Sequence, residues 1–260
     1  MEIEAKRTAF FPRERIELEI VSGASAEVRW SGGGTPASGE GPRFRTRFPY
    51  GGSYTIHARS GEEEEHVDIS VCPVDEWLAR AEDFFGPSLD LGRVKVTASP
   101  WVSGRRGSAW TCNTVIRFRR PLRAEDLPSE ATLIHELAHV WEHRAGQAQV
   151  LSGFLEQMRS RFGRDPYDFG GPDGLRDAKV LTRFSKEGQA QIVTELWKAQ
   201  HGYLTDRKKV PFATPGYVDD LRRLVQGAGI GTSDPKRRTF AGVLDSGTAT
   251  LVNFILAMFE

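Results

Sequence analysis

The first 72 residues carry a pattern of period two, in which short runs alternate apolar and polar side chains. This alternation is typical of strands that place one face on a core. The segments between the runs are rich in glycine, proline and serine, which favour turns and loops. The runs are IELEIV (16–21), AEVRW (26–30), RFRTRF (43–48), SYTIHAR (53–59) and HVDISV (66–71). Five or six short strands at this spacing predict a small β-sandwich over residues 1–72.

One part of this region resembles a known fold family. The segment FPYGGSYTIHARSGEEEEHVDISV (48–71) resembles the last hairpin of an immunoglobulin-like domain of the kind found in bacterial surface proteins. The resemblance covers about one strand pair. It implies an immunoglobulin-like topology for the sandwich.

The hydrophobic period changes after Cys72-Pro73. From residue 74 the pattern VDEWLARAEDFFG places its apolar side chains on one side of a helix. Two strand-like runs (94–98 and 110–118) follow, and then helices near 129–145, 147–162, 185–200, 215–226 and 240–258. The sequence therefore predicts an α+β chain in two domains, a sandwich at 1–72 and a mainly helical domain at 73–260.

Charge and hydropathy narrow the classes of function. The chain has 35 basic and 35 acidic side chains and a formal net charge of zero, which gives no electrostatic basis for binding nucleic acid or an anionic membrane. Its first residues contain no apolar run long enough for a secretory signal. Asp245 and Ser246 interrupt the most apolar stretch, 239–259, so we expect a buried helix there and no membrane span. We expect a cytoplasmic chain, or one exported by a non-classical route, and the oligomeric state stays open.

Cys72 and Cys112 are the two cysteines, and neither belongs to a C-x-x-C motif. A cysteine-based zinc or redox site is therefore not indicated. One disulfide between them is possible, but two isolated cysteines are more often buried thiols.

The segment ATLIHELAHVWEHRAG (131–146) contains the pattern H-E-x-x-H at His135, Glu136 and His139. Residues four apart on a helix lie about 40° apart on one face, so both imidazoles can reach one Zn²⁺ ion. Glu136 projects about 100° from His135 and can accept a proton from a metal-activated water that attacks a carbonyl. An apolar stripe lies opposite the histidines: Leu133, Ile134, Leu137, Val140 and Trp141. The alternative is a surface helix with chance histidines, but three of the six histidines fall within nine residues here.

His143 is excluded as a third ligand by distance. It lies eight residues from His135, so the two Cα atoms are about 12 Å apart along a helix axis. We interpret His143 and Glu142 as residues that support the ligands or lie at the rim of the site.

A third ligand is expected from the segment FSKEGQAQIVTELWK (184–198). On a helix, Ile192, Val193, Leu196 and Trp197 form its buried side. Glu187, Gln191 and, less squarely, Glu195 share the other side. Glu187 is the first choice for the ligand and Glu195 the second. A solvated helix carboxylate is the commoner fate of either residue.

Three ordered elements resemble a family of metallopeptidases. HELAHVWEH (135–143), EGQAQIV (187–193) and AWTCNTVIRF (109–118) are similar to gluzincin-type peptidases related to bacterial Vgr-related and DUF4157-type proteins. The resemblance implies Glu187 as the metal-binding glutamate. This sequence departs from the pattern where Cys112 replaces a usual glycine, Gly188 replaces a common glutamine, and Glu142 and His143 replace a glutamine-rich end.

Two further roles follow from this chemistry. In zincins an edge strand aligns an extended peptide, and residues 110–119 are predicted to do so here. A donor that faces the metal would stabilise the oxyanion. The candidates for that donor are Tyr167, His201, Tyr203 and Tyr217, and Tyr167 is preferred because related sequences carry a tyrosine in the loop before the glutamate helix.

The sequence thus predicts a zincin-like α+β domain behind an immunoglobulin-like sandwich. The expected function is zinc-dependent hydrolysis of a peptide or protein substrate, with ligands His135, His139 and Glu187 and general base Glu136. One alternative is a cargo, toxin or structural accessory of a contractile injection system that retains a metal site, because relatives are often encoded near such systems. Another is a binding protein that works through its sandwich, which an exposed aromatic patch on residues 1–72 would favour.

Overall fold

A computed structural model of the 260-residue chain describes residues 1–23, 27–102, 104, 107–146, 165, 167–202 and 214–232. The fold is mixed α+β, with several β-sheets and, among the described residues, five α-helices. The helices predicted at 147–162 and 240–258, and the residue Tyr203, lie outside the described residues. No helix in the described part of the chain is long and apolar enough to cross a membrane.

The element bounds are as follows. The strands are β1 (Glu2–Glu4), β2 (Ala9–Phe10), β3 (Ile16–Ser22), β4 (Arg29–Ser31), β5 (Ser38–Glu40), β6 (Arg43–Thr46), β7 (Gly52–Ser60), β8 (Glu63–Val71), β9 (Lys95–Ser99), β10 (Ala109–Cys112) and β11 (Val115–Arg119). The α-helices are α1 (Val74–Phe85), α2 (Glu130–Arg144), α3 (Gly171–Asp177), α4 (Lys186–Gln200) and α5 (Tyr217–Gly227). Short 3-10 helices lie at Gly86–Ser88, Leu91–Arg93, Ala124–Asp126 and Leu181–Arg183.

The described residues form two compact units that alternate along the chain. The first comprises residues 1–80, 96–110 and 117–132. The second comprises residues 81–95 and 111–116 and the described residues from Leu133 onward. The first unit includes residues on both sides of Cys72-Pro73, and the domain boundary expected there stays a prediction.

Two β-sheets of the first unit share one hydrophobic core. Their strand orders are β1-β3-β6 and β2-β8-β7-β4-β5. The period-two pattern determines which side chains enter the core: in β3, Ile16 and Leu18 are buried while Glu17 between them is exposed. Trp30 stacks on Phe44, with ring centroids 5.6 Å apart. All five predicted strands occur, and β1, β2 and β5 are additional short strands that the pattern did not indicate.

The first unit also contains a segment from beyond residue 116. Thr8 N donates a hydrogen bond to Leu122 O at 2.8 Å, and Arg7 Nε donates to Pro121 O at 2.9 Å. Phe11 stacks on Phe118, with ring centroids 5.5 Å apart. The amino-terminal strands therefore pack on part of the chain that the sequence assigned to the second domain.

A third sheet has the order β10-β11-β9. The run 110–118 was predicted as one strand, and that prediction is wrong, because a turn at Asn113-Thr114 divides it into β10 and β11. Asn113 adopts a φ of 55°, a left-handed conformation that asparagine tolerates better than most residues. The division leaves β11 central in the sheet, so β10 alone of the two is an edge strand.

Both helices that carry the predicted ligands begin with a serine cap. Thr132 N donates to Ser129 Oγ at 3.2 Å before α2, and Gly188 N donates to Ser185 Oγ at 3.0 Å before α4. Such caps satisfy amide groups that have no partner within the helix. Pro128 directly precedes Ser129. Because proline is not tolerated in the interior of a helix, it favours a helix that begins after this position.

The helix α4 is buried over most of its circumference, unlike the prediction. Gln191 and Glu195 were expected on the side opposite the apolar residues, yet they are 5% and 0% exposed. Within the second unit α4 packs against α5, and Arg223 of α5 donates to Ala178 O at 2.7 Å. A helix enclosed in this way holds its side chains in defined positions.

Candidate metal centre

Three predicted ligands, His135 and His139 of α2 and Glu187 of α4, lie together in the second unit. Glu187 Oε2 is 3.0 Å from His135 Nε2 and 3.6 Å from His139 Nε2. The imidazole rings of the two histidines meet edge to face, with centroids 4.9 Å apart. Their four-residue spacing on α2 places both on one face, and the first turn of α4 brings Glu187 to that face.

The donor set of this group fits a divalent metal. One ligand atom from each of the three residues can be chosen so that all three lie within 4.8 Å of one another. A tetrahedral zinc site with bonds of about 2.0–2.1 Å separates its donors by about 3.3 Å. The separations of 3.0 Å and 3.6 Å bracket that distance. Two imidazoles and one carboxylate are a ligand set of catalytic zinc sites, so the group could hold a metal ion.

The electrostatics of the group favour a charged carboxylate. Burial opposes ionisation of Glu187, but hydrogen bonds and charge from His135 and His139 outweigh it and hold the pKa of Glu187 well below its usual range. Burial alone would lower the pKa of His139, yet its hydrogen bonds to Glu142 and Glu187 raise the pKa well above its ordinary value. Protons and a metal ion therefore compete for the same donor atoms.

Glu136, the predicted general base, follows His135 directly on α2 and is 7% exposed. Thr111 of the edge strand β10 donates a hydrogen bond from Oγ1 to Glu136 Oε2 at 2.5 Å. A carboxylate in such a setting is held in one orientation, and its second oxygen remains available to another donor.

Glu142 and His143, interpreted as supporting or rim residues, differ in their surroundings. Glu142 is 1% exposed, and its Oε2 lies 3.0 Å from His139 Nδ1. His143 is partly buried, and burial lowers its pKa. His143 is not part of the metal-binding group, as the axial distance between it and His135 requires.

The candidates for an oxyanion donor are dispersed. The Tyr167 ring lies 5.7 Å from the His135 ring, centroid to centroid. His201 stacks on Trp197 at 4.2 Å and donates from Nδ1 to Trp197 O, while Tyr217 is buried at the start of α5. Tyr167 thus has a ring contact to His135, a residue of the metal-binding group.

Glu195, the second choice for the third ligand, has other partners. It accepts hydrogen bonds from Gln191 Nε2 and from Lys198 Nζ, the latter at 2.9 Å. It is fully buried and does not belong to the metal-binding group. Cys72 and Cys112 are both buried and are not joined in a disulfide, which agrees with the interpretation made from their isolation in the sequence.

Thr111 is the residue that sequence reasoning missed. It lies in the segment 109–118 that resembles the peptidase edge strand, but its contact with Glu136 spans 25 positions. The sequence did contain an indication of this role. Side chains alternate along a strand, so Thr111 faces the opposite side of β10 from Trp110 and Cys112.

Comparisons with known proteins give a partial likeness. No family profile matches the chain. The chain is similar to the type VI secretion system spike protein VgrG2b of Pseudomonas aeruginosa, with 28% identity over 125 residues. That match covers 45% of this chain and 12% of the length of VgrG2b. The likeness thus concerns a small part of a much longer protein.

Proposed function

We propose that this chain is a zinc metallopeptidase that hydrolyses peptide bonds with Glu136 as general base. The observation that carries the proposal is the group of His135, His139 and Glu187, beside which α2 places a buried carboxylate that is hydrogen-bonded to Thr111. A metal site of two histidines and a glutamate with a neighbouring glutamate base suits metal-assisted hydrolysis. On this proposal the helical region is zincin-like and the two-sheet region is immunoglobulin-like.

The chain's own residues would divide the chemistry as follows. His135, His139 and Glu187 would hold the zinc ion, which lowers the pKa of water and polarises a carbonyl group. Glu136 would take the proton from the attacking water and pass it to the leaving amine. Tyr167 would donate a hydrogen bond to the oxygen of the scissile carbonyl.

The edge strand β10 supports the choice of a peptide as substrate. Arg119 N donates to Ser108 O at 2.8 Å, so Ser108 directs its backbone groups toward β11. In an antiparallel hairpin alternate residues turn their backbone groups outward, and Ala109 and Thr111 do so here. An extended peptide would pair with these two residues. Thr111 would then contact both the substrate, through its backbone, and Glu136, through its hydroxyl.

The test is a Glu136→Gln substitution in the full chain. Glutamine keeps the shape of the side chain and the bond to Thr111 but cannot accept a proton, so zinc content and melting temperature should stay near wild type. Hydrolysis should fall by at least about 10²–10⁴-fold, the contribution of a positioned base. The measurement is mass spectrometry of a peptide library digested by zinc-loaded protein.

Glu130→Gln is the matched control, because Glu130 lies on the same helix but pairs with Arg80, 2.6 Å away. It should cleave like wild type. A Glu136→Gln protein that cleaves as fast as wild type would remove this mechanism.

A second candidate function rests on the likeness to VgrG2b, a type VI secretion system spike protein. On this reading the chain is a cargo, toxin or accessory of a contractile injection system and need not be an enzyme. Zinc-loaded wild type that cleaves no peptide, together with Glu136→Gln protein that is delivered equally well by the injection system, would favour it. An exposed aromatic patch would favour a binding role for the sandwich. Among its described residues, the large apolar side chains that are strongly exposed are Tyr50 and Val21, so one aromatic side chain is exposed and this role gains no support.

A further inference from the structure

Glu142 is a buried acid that the proposed reaction does not use. Its carboxylate is 1% exposed on α2, three residues after His139. Glu142 Oε2 lies 3.0 Å from His139 Nδ1, and Glu142 Oε1 has no hydrogen-bond partner among the described residues. Burying a carboxylate costs free energy unless a partner compensates, so this position needs an explanation.

The two nitrogens of the His139 ring face different partners. Nδ1 faces Glu142, while Nε2 faces Glu187 Oε2 at 3.6 Å. An ionised carboxylate can only accept, so with a metal on Nε2 the remaining ring hydrogen on Nδ1 would be donated to Glu142. The neutral ring then presents the lone pair of Nε2 to the side where His135 and Glu187 lie.

We propose that Glu142 is a positioning residue that fixes the tautomer and orientation of His139 and so strengthens zinc binding. This inference rests on the proposed zinc site. A carboxylate behind a ligating imidazole raises the basicity of the ligand atom, which tightens its bond to the metal. Glu142 acts through His139 and does not touch the metal.

The identity of the side chain matters because a glutamine would act differently. An amide oxygen can accept from Nδ1, but the amide nitrogen can also donate to it and so favour the other tautomer. A buried glutamate admits one arrangement and adds negative charge behind the ligand.

Glu195 provides a matched control. It is also a fully buried glutamate on a helix of the second unit, but its carboxylate accepts from Gln191 and Lys198 and lies outside the metal-binding group. A loss of metal affinity caused only by disturbing a buried acid would appear in Glu195→Gln as well. A loss caused through His139 would appear in Glu142→Gln alone.

The experiment measures zinc affinity by chelator competition for the full-length wild type, Glu142→Gln and Glu195→Gln at one pH. We expect zinc to bind Glu142→Gln about 10–100-fold more weakly than wild type, the usual effect of removing such a support. Glu195→Gln should bind zinc like wild type even if it melts at a lower temperature. Equal affinity in wild type and Glu142→Gln, or an equal loss in both variants, would overturn the inference.

A second measurement covers the case in which Glu142→Gln does not fold. Long-range proton–nitrogen NMR spectra of the zinc-loaded wild type report which nitrogen of His139 carries the hydrogen. We expect hydrogen on Nδ1 and metal on Nε2, and the reverse would overturn the inference. Wild type that binds no zinc would overturn this inference and the proposed function together, whereas the other negative outcomes affect the inference alone.

Discussion

The two-sheet core and the helix pair α2 and α4 bury different kinds of side chain. The buried residues of the two-sheet core are apolar. The polar side chains that are buried in the described part of the first unit carry hydroxyl groups: Thr46, Ser60 and Ser99. The buried glutamates among the described residues all lie on α2 or α4: Glu136, Glu142 and Glu195. A fold can be stabilised by the first kind of burial alone. Burial of glutamates opposes stability. Such burial is typical of regions where chemistry requires charged groups in fixed positions.

Charged side chains on the surface of the sandwich differ in exposure from the buried glutamates of α2 and α4. Glu17 and Glu19 pair with Arg45 and Arg43 across neighbouring strands, and these side chains are about half exposed. Exposed pairs contribute little because water and salt screen them. In this molecule, therefore, these two cross-strand pairs of the sandwich lie in solvent, whereas the buried glutamates of the helix pair lie where their charge acts strongly.

Removing a metal ligand from α2 or α4 should have the largest effect of these substitutions, and the property it changes is zinc binding. His135→Ala or His139→Ala should abolish stoichiometric zinc binding, since two protein ligands remain of three. Glu187→Ala should weaken zinc binding by far more than the 10–100-fold that supporting residues typically contribute. The measurement is metal content by mass spectrometry after dialysis, beside chelator competition.

His143→Ala is the control for these variants, because His143 is on the same helix and outside the metal-binding group. It should keep about one zinc per chain. Equal loss of zinc from the His135, His139 and His143 variants would contradict the ligand assignment.

A shortened chain tests the boundary proposed at Cys72-Pro73. All residues of the metal-binding group belong to the second unit, so a chain of residues 73–260 should still bind zinc. It should melt well below the full chain, because Phe118 loses its stacking partner Phe11 and Leu122 loses a hydrogen bond from Thr8. Calorimetry and metal analysis check both points. Insoluble or metal-free material would mean that residues 1–72 are required for the site to form.

Thr111→Val should have a smaller effect, confined to the helix region. Valine keeps the shape of threonine but removes the hydroxyl that holds Glu136. Hydrogen bonds to charged groups are worth about 1.5–3 kcal/mol, so kcat should fall about tenfold or more while zinc content is unchanged. Thr111→Ser keeps the hydroxyl and should restore most of the rate. Equal kcat in wild type and Thr111→Val would show that Glu136 needs no such support.

Local patterns predicted more of the strands and helices than of the site. The alternation in Ile16–Ser22 and the i, i+4 spacing of His135 and His139 are properties of one element, so sequence reasoning found them. Glu187 was ranked above Glu195 and the family resemblance implied the same residue, but helical periodicity alone cannot say which end of α4 meets α2. The turn at Asn113 has no glycine to mark it, and the Thr111–Glu136 contact depends on how the sheet and helix pack.

The smallest effect is expected from Glu17→Gln on the surface of the sandwich. Arg45 bonds to Glu17 at 2.7 Å, and this hydrogen bond and charge hold the pKa of Glu17 below its usual range. A lowered pKa in the folded state means that the pair stabilises the fold at neutral pH and that this contribution is lost as the pH falls through the folded-state pKa. Because both side chains are about half exposed, Glu17→Gln should lower the melting temperature at pH 7 by at most about 2 °C. The difference from wild type should shrink as the pH falls and vanish below the folded-state pKa of Glu17, where the carboxyl group is protonated in the folded and unfolded chain alike. Zinc affinity at pH 7 should not change. A large loss of stability at pH 7 would show that the charges on the sandwich surface are as important to the fold as its apolar core, and the contrast between the two regions would not hold.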